Sequence, residues 1–456
     1  MTSSRIAFLP ILRTTFDVPL AEEMIRQARV SLQAAGLVLV EPDQPISDLD
    51  QAQQAAAMLE NESVDLVLVY QATFADSTMV TLLTEKMDTP VFLWAIPEDW
   101  TGGRLRLNSL CGINLAGHAL TLRKRPFDYA YGAPQNAEVI RKIRAVAAAG
   151  ALRRKLRTAR LGVVGEHPIG MDSCHLDESA LQNLFGIQIH RIALEEVFAR
   201  ARAIPDSRIV ETRNALDEKL DNLASLEQAP LRGTLSVYHA LREIAVEGHL
   251  DGLAVRCWPE FFTQMGCAAC GAMSMLSDGF GSATPLPCSC EADINGTVTQ
   301  LMLQCLSGVP AFGTDMVGVD TDRDRVALWH CGLAPLSMAE PSAQPHGEIH
   351  SNRKVPLVMD FPLKEGEVTL ARISQATGAL RLVYGHGRML AEPKPYSGTA
   401  GVLQLDIHAR KFLDLLMREG LEHHVSLTYG NYVGELKAFS DLINLPSLRM
   451  EKTEVK

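Results

Sequence analysis

Short runs of β-branched and other apolar residues alternate with amphipathic helical stretches along the first two thirds of this chain. The first such runs lie at residues 6–9, 37–40, 65–70 and 90–95. Alternation of this kind is typical of α/β units, in which strands buried on both faces form a parallel sheet covered by helices. We therefore predict that the chain begins with a doubly wound α/β domain.

The alternation restarts at the strand predicted for residues 160–165 and continues to about residue 341, which indicates a second α/β unit. After Pro345 the pattern changes to short strands separated by Gly, Pro and Asn, with a helix only near residues 408–419. The predicted fold class is α/β, with two doubly wound α/β domains followed by a β-rich domain. We place these domains at residues 1–158, 159–345 and 346–456.

The charge balance and the cysteine pattern exclude several classes of protein. The 456 residues include 43 basic and 54 acidic ones, and the basic residues form no stripe that could neutralise a phosphate backbone. No apolar run reaches the ~18 residues of a membrane span, and the N-terminal run is too short for a signal peptide. Six of the nine cysteines lie between residues 257 and 305, unlike a disulfide framework. We expect a soluble cytoplasmic protein that binds neither nucleic acid nor membranes.

Two carboxylates flank one predicted helix and one predicted strand between Cys288 and Asp315. A helix of ~15 residues after Glu291 would carry the chain ~22 Å, and the strand before Asp315 would return it ~20 Å. The two side chains would then meet at the sheet edge where open α/β sheets bind ligands. The alternative is that Glu291 caps a helix and Asp315 lies in a turn. Spacing alone leaves both interpretations open.

Two close cysteine pairs offer a different centre, because four thiolates can bind structural zinc. The pairs are Cys267 with Cys270 and Cys288 with Cys290. A long segment separates them, and the surrounding alanines and methionines are typical of a buried helix in which cysteine packs as a small apolar residue. A zinc-stapled hydrolase on these four cysteines is therefore kept as an alternative.

Histidines provide further candidate ligands. His330 ends the predicted strand that starts at Arg325, where a lone histidine is more often structural than a ligand. Farther on, residues 422–429 are predicted to form a strand, and a period of two would place His423 and His424 on opposite faces. His424 falls on the polar face and is the better candidate, unless that face simply meets water.

Eight segments are weak signals individually and specific together: Gln71-Ala-Thr-Phe-Ala75, Leu93-Trp-Ala-Ile-Pro-Glu98, Asn108-Ser-Leu-Cys-Gly112, Gly165-x-x-x-x-Gly-Met171, Cys257-Trp-Pro-Glu260, Cys290-Glu-Ala-Asp293, Trp329-His-Cys-Gly332 and Glu422-His-His-Val425. In this combination the chain resembles the L-fucose/L-arabinose isomerase family, specifically its shorter L-fucose isomerase-like branch. The resemblance covers nearly the whole chain. It implies a C-terminal β-barrel domain after the two α/β domains, and a homo-oligomer that is trimer-based, often a hexamer.

The resemblance also implies a metal centre. Two acids and a histidine of this family bind a divalent ion, usually Mn²⁺ with Mg²⁺ or Co²⁺ as substitutes, and the acids move the proton. By position these residues are Glu291, Asp315 and His424, and His330 matches a fourth ligand of the arabinose branch. Oxygen ligands with one imidazole suit manganese or magnesium better than zinc.

The substrate implied by the resemblance is a monosaccharide: a pentose, a 6-deoxyhexose or a 6-substituted hexose such as the sulfonated sugar sulfoquinovose. Aldose–ketose isomerisation moves a proton between C1 and C2 through a cis-enediol, which two carboxylates can serve. Substrate contacts are expected from Trp258 and Glu260, and from Gln71, Trp94 and Glu98 of a neighbouring subunit's N-terminal domain. A non-catalytic sugar-binding or sensor protein is the other alternative, since a fold does not fix a function.

Overall fold

The computed structural model of the chain describes residues 4–85, 87–281 and 284–451, so both ends of the chain lie outside the described residues. The chain divides into two compact units. Among the described residues, one unit comprises those from 4 to 155 and from 434 to 444, and the other comprises those from 156 to 433 and from 445 to 451. Within the described ranges no helix is both long and apolar enough to cross a membrane.

A five-stranded parallel sheet with the order β2-β1-β3-β4-β5 forms the centre of the first unit. Its strands and helices are β1 (Arg5–Ile11), α1 (Val18–Ala34), β2 (Val38–Val40), α2 (Leu49–Glu60), β3 (Leu66–Gln71), α3 (Ser77–Thr84), β4 (Val91–Ala95), α4 (Ser109–Leu122), β5 (Phe127–Tyr131) and α5 (Ala137–Leu156). Alternate residues of β1 enter two separate cores, Ile6 and Phe8 on one face and Ala7 and Leu9 on the other. Burial of both faces explains why these strands are continuous apolar runs.

The second unit begins with a four-stranded parallel sheet of order β7-β6-β8-β9. Its elements are β6 (Arg160–Val164), α6 (Glu178–Phe185), β7 (Gln188–Ile192), α7 (Leu194–Ala203), α8 (Asp206–Asp217), α9 (Gln228–Glu247), β8 (Gly252–Val255), α10 (Ala269–Asp278), β9 (Cys288–Ser289) and α11 (Ile294–Ser307). Short 3₁₀ turns cover Asp172–Cys174, Leu223–Ser225 and Leu336–Met338, and a π-helical turn covers Phe261–Met265. Helix α11 is buried along almost its whole length.

The rest of this unit is a large sheet made of β10 (Phe312–Asp320), β11 (Arg325–His330), β12 (His346–Glu348), β13 (Val358–Pro362), β14 (Gly366–Ser374), β15 (Arg381–Leu390), β16 (Thr399–Leu405), β17 (His424–Tyr429) and β18 (Ser447–Met450), with helix α12 (Ala409–Arg418) after β16. Six strands close into a barrel in the order β10-β11-β16-β15-β14-β17 and back to β10. Helix α13 (Val433–Leu442) then returns the chain to the first unit from Gly434 onward.

The predicted fold class is confirmed, because two parallel α/β sheets precede a closed barrel. Strands β10 and β11 differ from the prediction, which placed them with the central α/β sheet. They pair antiparallel with β17 and β16 instead. The burial of β10 gives the reason: its first residues alternate between buried and half-exposed, as in a strand with one face on a core, and not a strand buried on both faces.

Candidate active site

Glu291 lies just beyond the carboxyl end of β9, where the chain turns sharply into α11. Glu291 and the following Ala292 both have left-handed backbone conformations, with φ values of 56° and 54°. Such a conformation costs a non-glycine residue about 1–2 kcal/mol. Asp293 then caps α11, since its Oδ1 accepts a hydrogen bond of 2.9 Å from the amide of Gly296. Strained residues held in this way are concentrated at functional sites.

Asp315 and His424 face each other across two neighbouring barrel strands. They are directly opposite in the antiparallel pairing of β10 with β17. The Nε2 atom of His424 lies 3.3 Å from Oδ1 of Asp315. Because directly opposite residues of a ladder have close Cβ atoms, the pairing itself brings these two side chains together.

Glu291 joins this pair from the α/β part of the same unit. Its Oε2 atom lies 3.9 Å from Nε2 of His424 and 3.4 Å from Nε2 of His423. Its Oε1 atom accepts a hydrogen bond of 3.2 Å from the indole N–H of Trp258. The three residues predicted as ligands, Glu291, Asp315 and His424, therefore converge on one place, and the side chain of Glu291 is only 12% exposed there.

A second layer of buried charge supports His424 from behind. Oδ2 of Asp293 lies 3.0 Å from Nδ1 of His424 and also accepts a 2.5 Å hydrogen bond from Nη1 of Arg372. Nη2 of Arg372 donates to the backbone carbonyl of Ser173. Both Asp293 and Arg372 are almost fully buried. A buried charge is tolerated when it is paired and hydrogen-bonded, as both of these are.

These contacts fix the charges of the site. Burial alone raises the pKa of Glu291, but the hydrogen bond with His423, the charge of His424 and the Trp258 bond outweigh it and lower that pKa to about 2. Burial lowers the pKa of His424, yet its hydrogen bond to Asp293 and the neighbouring carboxylates raise it well above the usual value. Asp293 is itself held ionised, because the Arg372 charge overcomes burial and lowers its pKa. The site thus holds the carboxylates of Glu291 and Asp293 ionised, and an ionised carboxylate is the form that binds a cation.

The arrangement of donors fits a divalent cation. Ligand atoms of Asp315, His423 and His424 lie within 4.8 Å of one another, and so do those of Cys174, Glu291 and His424. Oδ1 of Asp315 is buried and has no hydrogen-bond partner within the part of the chain that the structure describes. Its 3.3 Å contact with Nε2 of His424 is an ion pair without hydrogen-bond geometry. Carboxylate oxygens together with an imidazole make a donor set that suits Mn²⁺ or Mg²⁺.

The alternation predicted for residues 422–429 placed His423 on the opposite face from His424, and this prediction is wrong. The two ring centroids are only 4.0 Å apart. The reason is that β17 begins at His424, so His423 precedes the strand and escapes its alternation. A hydrogen bond between Ser173 and Nδ1 of His423 directs its ring toward Glu291.

His330 lies in the same region but contacts thiols. Its Nε2 atom is 3.0 Å from Sγ of Cys290, and its Nδ1 atom is 3.3 Å from Sγ of Cys331. Burial lowers the pKa of His330 to about 4, so the imidazole is neutral. A neutral imidazole is the form that binds metals, and the role of His330 as a fourth ligand stays a prediction.

The four cysteines of the zinc alternative do not converge. No three of Cys267, Cys270, Cys288 and Cys290, all within the described ranges, bring their sulfur atoms within 4.8 Å of one another. The Sγ atom of Cys270 instead lies 3.1 Å from Sγ of Cys331. Burial raises the pKa of Cys267 and of Cys288 to about 12, so neither is a thiolate at neutral pH. All nine cysteines are free thiols. These cysteines pack in the core, and the zinc-stapled hydrolase loses its basis.

The residues expected to contact substrate have diverse surroundings. Glu260 pairs with Arg256 at 2.8 Å. In the first unit, Trp94 is fully buried and its indole donates to the carbonyl of Gly132, while Glu98 accepts hydrogen bonds from the amides of residues 106–108. Gln71 is also buried, and neither its amide nitrogen nor its amide oxygen has a hydrogen-bond partner among the described residues. Contact of these residues with a sugar stays a prediction.

Comparisons with known proteins agree with this architecture. The family model of the fucose/sulfoquinovose isomerase N-terminal domain matches residues 8–157, and that of the L-fucose isomerase C-terminal domain matches residues 328–451. Sulfoquinovose isomerase of Priestia aryabhattai is 30% identical over 447 residues, which are 98% of this chain and 99% of the relative. Sulfoquinovose isomerases of Alkalicoccus urumqiensis and Clostridium sp. (strain MSTE9) are 30% and 28% identical over 449 residues, with the same coverage.

Neighbouring barrel strands bring an acid and a histidine to a second acid, in a chain whose N-terminal and C-terminal parts match isomerase family models and whose relatives over nearly the whole length are isomerases. Together these findings define an aldose–ketose isomerase of sugars. The chain belongs to the fucose/sulfoquinovose isomerase family.

Proposed function

We propose that this enzyme converts sulfoquinovose, a glucose derivative with a sulfonate at C6, into the corresponding 2-ketose. The single observation that carries the proposal is the convergence of Glu291, Asp315 and His424 at one place in a chain whose full-length relatives are named sulfoquinovose isomerases. A pentose or a 6-deoxyhexose has the same reacting carbons, but neither carries the sulfonate of the sugar after which the relatives are named.

Glu291 and Asp315 approach His424 from different parts of the unit, one from beyond β9 and one from β10. Two carboxylates placed in this way can serve two adjacent carbons of an open-chain sugar. One accepts the proton from C2 while the carbonyl oxygen at C1 gains a proton, which gives a cis-enediol. Loss of the O2 proton and delivery of a proton to C1 complete the ketose, so protons and electrons balance without a redox partner.

We further propose that Glu291, Asp315 and His424 hold Mn²⁺, which Mg²⁺ or Co²⁺ could replace. When bound, the cation would polarise the sugar oxygens and make the neighbouring carbon more acidic. Asp293 orients His424 by accepting a hydrogen bond from its Nδ1–H, which leaves Nε2 directed at the two carboxylates. Trp258 holds the Glu291 carboxylate through its indole N–H.

The family resemblance and the free thiols support two further parts of the proposal. We propose a trimer-based homo-oligomer, and a reducing cytoplasmic compartment in which all nine cysteines stay reduced.

The test is turnover of sulfoquinovose in deuterated water after chelation and reloading with Mn²⁺. We expect the ketose to carry deuterium at C1 and the recovered aldose to carry it at C2, because solvent exchanges with the catalytic carboxylates. Turnover is expected to disappear with the chelator and to return with Mn²⁺. A sugar-binding protein would retain sulfoquinovose without any exchange at either carbon, and that result would refute the isomerase.

A further inference from the structure

Arg353 is an exposed cation that lies against two aromatic rings. Its guanidinium carbon is 5.5 Å from the ring centroid of Trp258 and 5.7 Å from that of Phe262. An aromatic face attracts a guanidinium but leaves its N–H groups without acceptors. Within the described part of the chain no carboxylate pairs with this side chain, so its donors are available to an anion.

The other arginines beside these residues are already neutralised. Arg256 pairs with Glu260 at 2.8 Å, and Arg372 pairs with the buried Asp293. Neither can offer a full positive charge to a ligand without losing its partner. Unlike Arg256 and Arg372, Arg353 has no carboxylate partner among the described residues, so its positive charge is not neutralised.

The backbone around Arg353 is held in a defined turn. The amides of Arg353 and Lys354 both donate to the carbonyl of His350, over 3.2 Å and 2.8 Å. The His350 ring is itself buried and packs edge-on against Phe262, with centroids 5.3 Å apart. The guanidinium is thus positioned by its turn and its two rings, which reduces the entropy lost when it binds.

Trp258 connects Arg353 with the reacting centre. The same indole that lies under the guanidinium donates its N–H to Oε1 of Glu291 at 3.2 Å. Arg353 and Glu291 are therefore separated by about one indole ring. A six-carbon open-chain sugar whose C1 and C2 lie at Glu291 can span this separation with its C6 end.

We infer that Arg353 binds the anionic group at C6 of the sugar and so sets the preference of the enzyme for a sulfonated hexose. The inference rests on the proposed function. A sulfonate has three acceptor oxygens, which match the planar fork of a guanidinium, and such charge-assisted hydrogen bonds are stronger than neutral ones. A 6-deoxy or 6-hydroxy sugar leaves the guanidinium without a charged partner. Trp258 serves as the platform along which the carbon chain lies.

The test compares sulfoquinovose with its uncharged analogue 6-deoxyglucose in the wild type and in Arg353→Met, Arg353→Lys and Lys354→Met. Calorimetry gives the affinity for each sugar, and initial rates with Mn²⁺ give kcat/KM. For Arg353→Met we expect the sulfoquinovose-to-6-deoxyglucose ratio to fall by about 10- to 100-fold, as for loss of a charged hydrogen bond. Lysine should restore part of the ratio, since it keeps the charge without the fork.

Methionine preserves the apolar stem that packs on Trp258, so a general loss of packing would weaken both sugars equally and would overturn the inference. An unchanged ratio in Arg353→Met would also overturn it, and so would an equal fall in Lys354→Met, the neighbouring exposed lysine. Glucose 6-phosphate is included as a second anion. If the wild type prefers that sugar to sulfoquinovose and the preference depends on Arg353, the anchor stands and the proposed substrate fails.

Discussion

Oδ2 of Asp293 lies 3.0 Å from Nδ1 of His424 and 2.5 Å from Nη1 of Arg372, so one buried carboxylate both orients the histidine and neutralises the arginine. Neither role follows from the position of Asp293 as the N-cap of α11, although it has that role too. Carboxylates that orient metal-binding histidines are typically worth 10- to 100-fold in metal affinity.

Asp293→Asn is therefore expected to weaken Mn²⁺ binding by about 10- to 100-fold, because a neutral amide orients His424 less firmly. It should also lower the free energy of unfolding, by up to about 3–5 kcal/mol, since the buried Arg372 loses the nearer of its two carboxylate partners and keeps only Glu422, 4.0 Å from its Nε. Calorimetry with Mn²⁺ and urea unfolding measure the two effects. Asp177→Asn, at the N-cap of α6, is the matched control and should change neither by much, because asparagine caps a helix as well as aspartate. Full metal affinity in Asp293→Asn would contradict the role given to the carboxylate.

Glu291→Gln and Asp315→Asn are each expected to lower kcat by about 10²- to 10⁴-fold, the usual contribution of a group that transfers a proton. Both substitutions keep the shape of the side chain, so circular dichroism should show an unchanged fold. Asp320→Asn is the control, because Asp320 ends the same strand as Asp315 and instead pairs with Arg323. Near-normal rates in both site variants would end the assignment of the carboxylates.

The left-handed backbone at Ala292 predicts that glycine is tolerated at this buried position and that valine is not. Ala292→Gly removes the steric cost of φ 54° and should leave the free energy of unfolding within about 1 kcal/mol of the wild type, because greater freedom of the unfolded chain offsets part of the gain. Ala292→Val should lower it by at least about 2 kcal/mol, since a β-branched residue is poorly accommodated there and the site is buried. Urea unfolding of the three proteins gives the order. Equal stability of the glycine and valine variants would mean that this backbone conformation is not maintained in solution.

His239 predicts a pH-dependent contribution to stability. Burial and the charge of Arg208 lower its pKa below the ordinary 6.5, so the folded protein keeps it neutral while the unfolded chain binds a proton. The full free energy of unfolding is therefore present above pH 6.5, where both states are neutral at His239. It decreases as the pH falls from 6.5 toward the lower pKa of the folded state, because only the unfolded chain gains the proton. The raised pKa of His424 acts in the opposite sense, so only a difference between proteins is diagnostic.

We therefore compare the free energy of unfolding of the metal-free wild type with that of His239→Gln at several values between pH 5 and pH 8. The advantage of the wild type, which includes the 2.8 Å contact of His239 with Thr212, should shrink as the pH falls. A constant or growing advantage toward acid would be inconsistent with a neutral buried imidazole.

The α/β alternation predicted both parallel sheets, because a strand that is buried on both faces has a continuous run of apolar residues in the sequence. Membership of β10 could not be predicted in the same way. A strand that follows a helix can return to the sheet it left or join another, and residues 309–314 contain the same apolar types in either case. The contact between Asp315 and His424 depends on a pairing between strands more than 100 residues apart, which no local pattern records.

The missed residues share one physical property: their role depends on which neighbour they meet. Asp293 has the sequence signature of a helix cap, and only the barrel brings Arg372 to it. The spacing of Cys270 suggested pairing with nearby cysteines, but the sheet places it beside Cys331. Arg353 is one of many arginines until the ring of Trp258 is found beneath it.

Asp315 and His424 lie on neighbouring strands of a closed barrel. Because a closed barrel has no open edge, one strand cannot change its register against the next without changing the whole barrel. Their alignment is therefore hard to alter by gradual mutation. The stretch that bears Arg353 lies between β12 and β13, outside the six barrel strands, and surface connections of this kind accept changes of sequence more readily than barrel strands do. New sugars should consequently be acquired by exchanging that connection, with the chemistry inherited unchanged, and an engineer who wishes to redirect this enzyme should begin there.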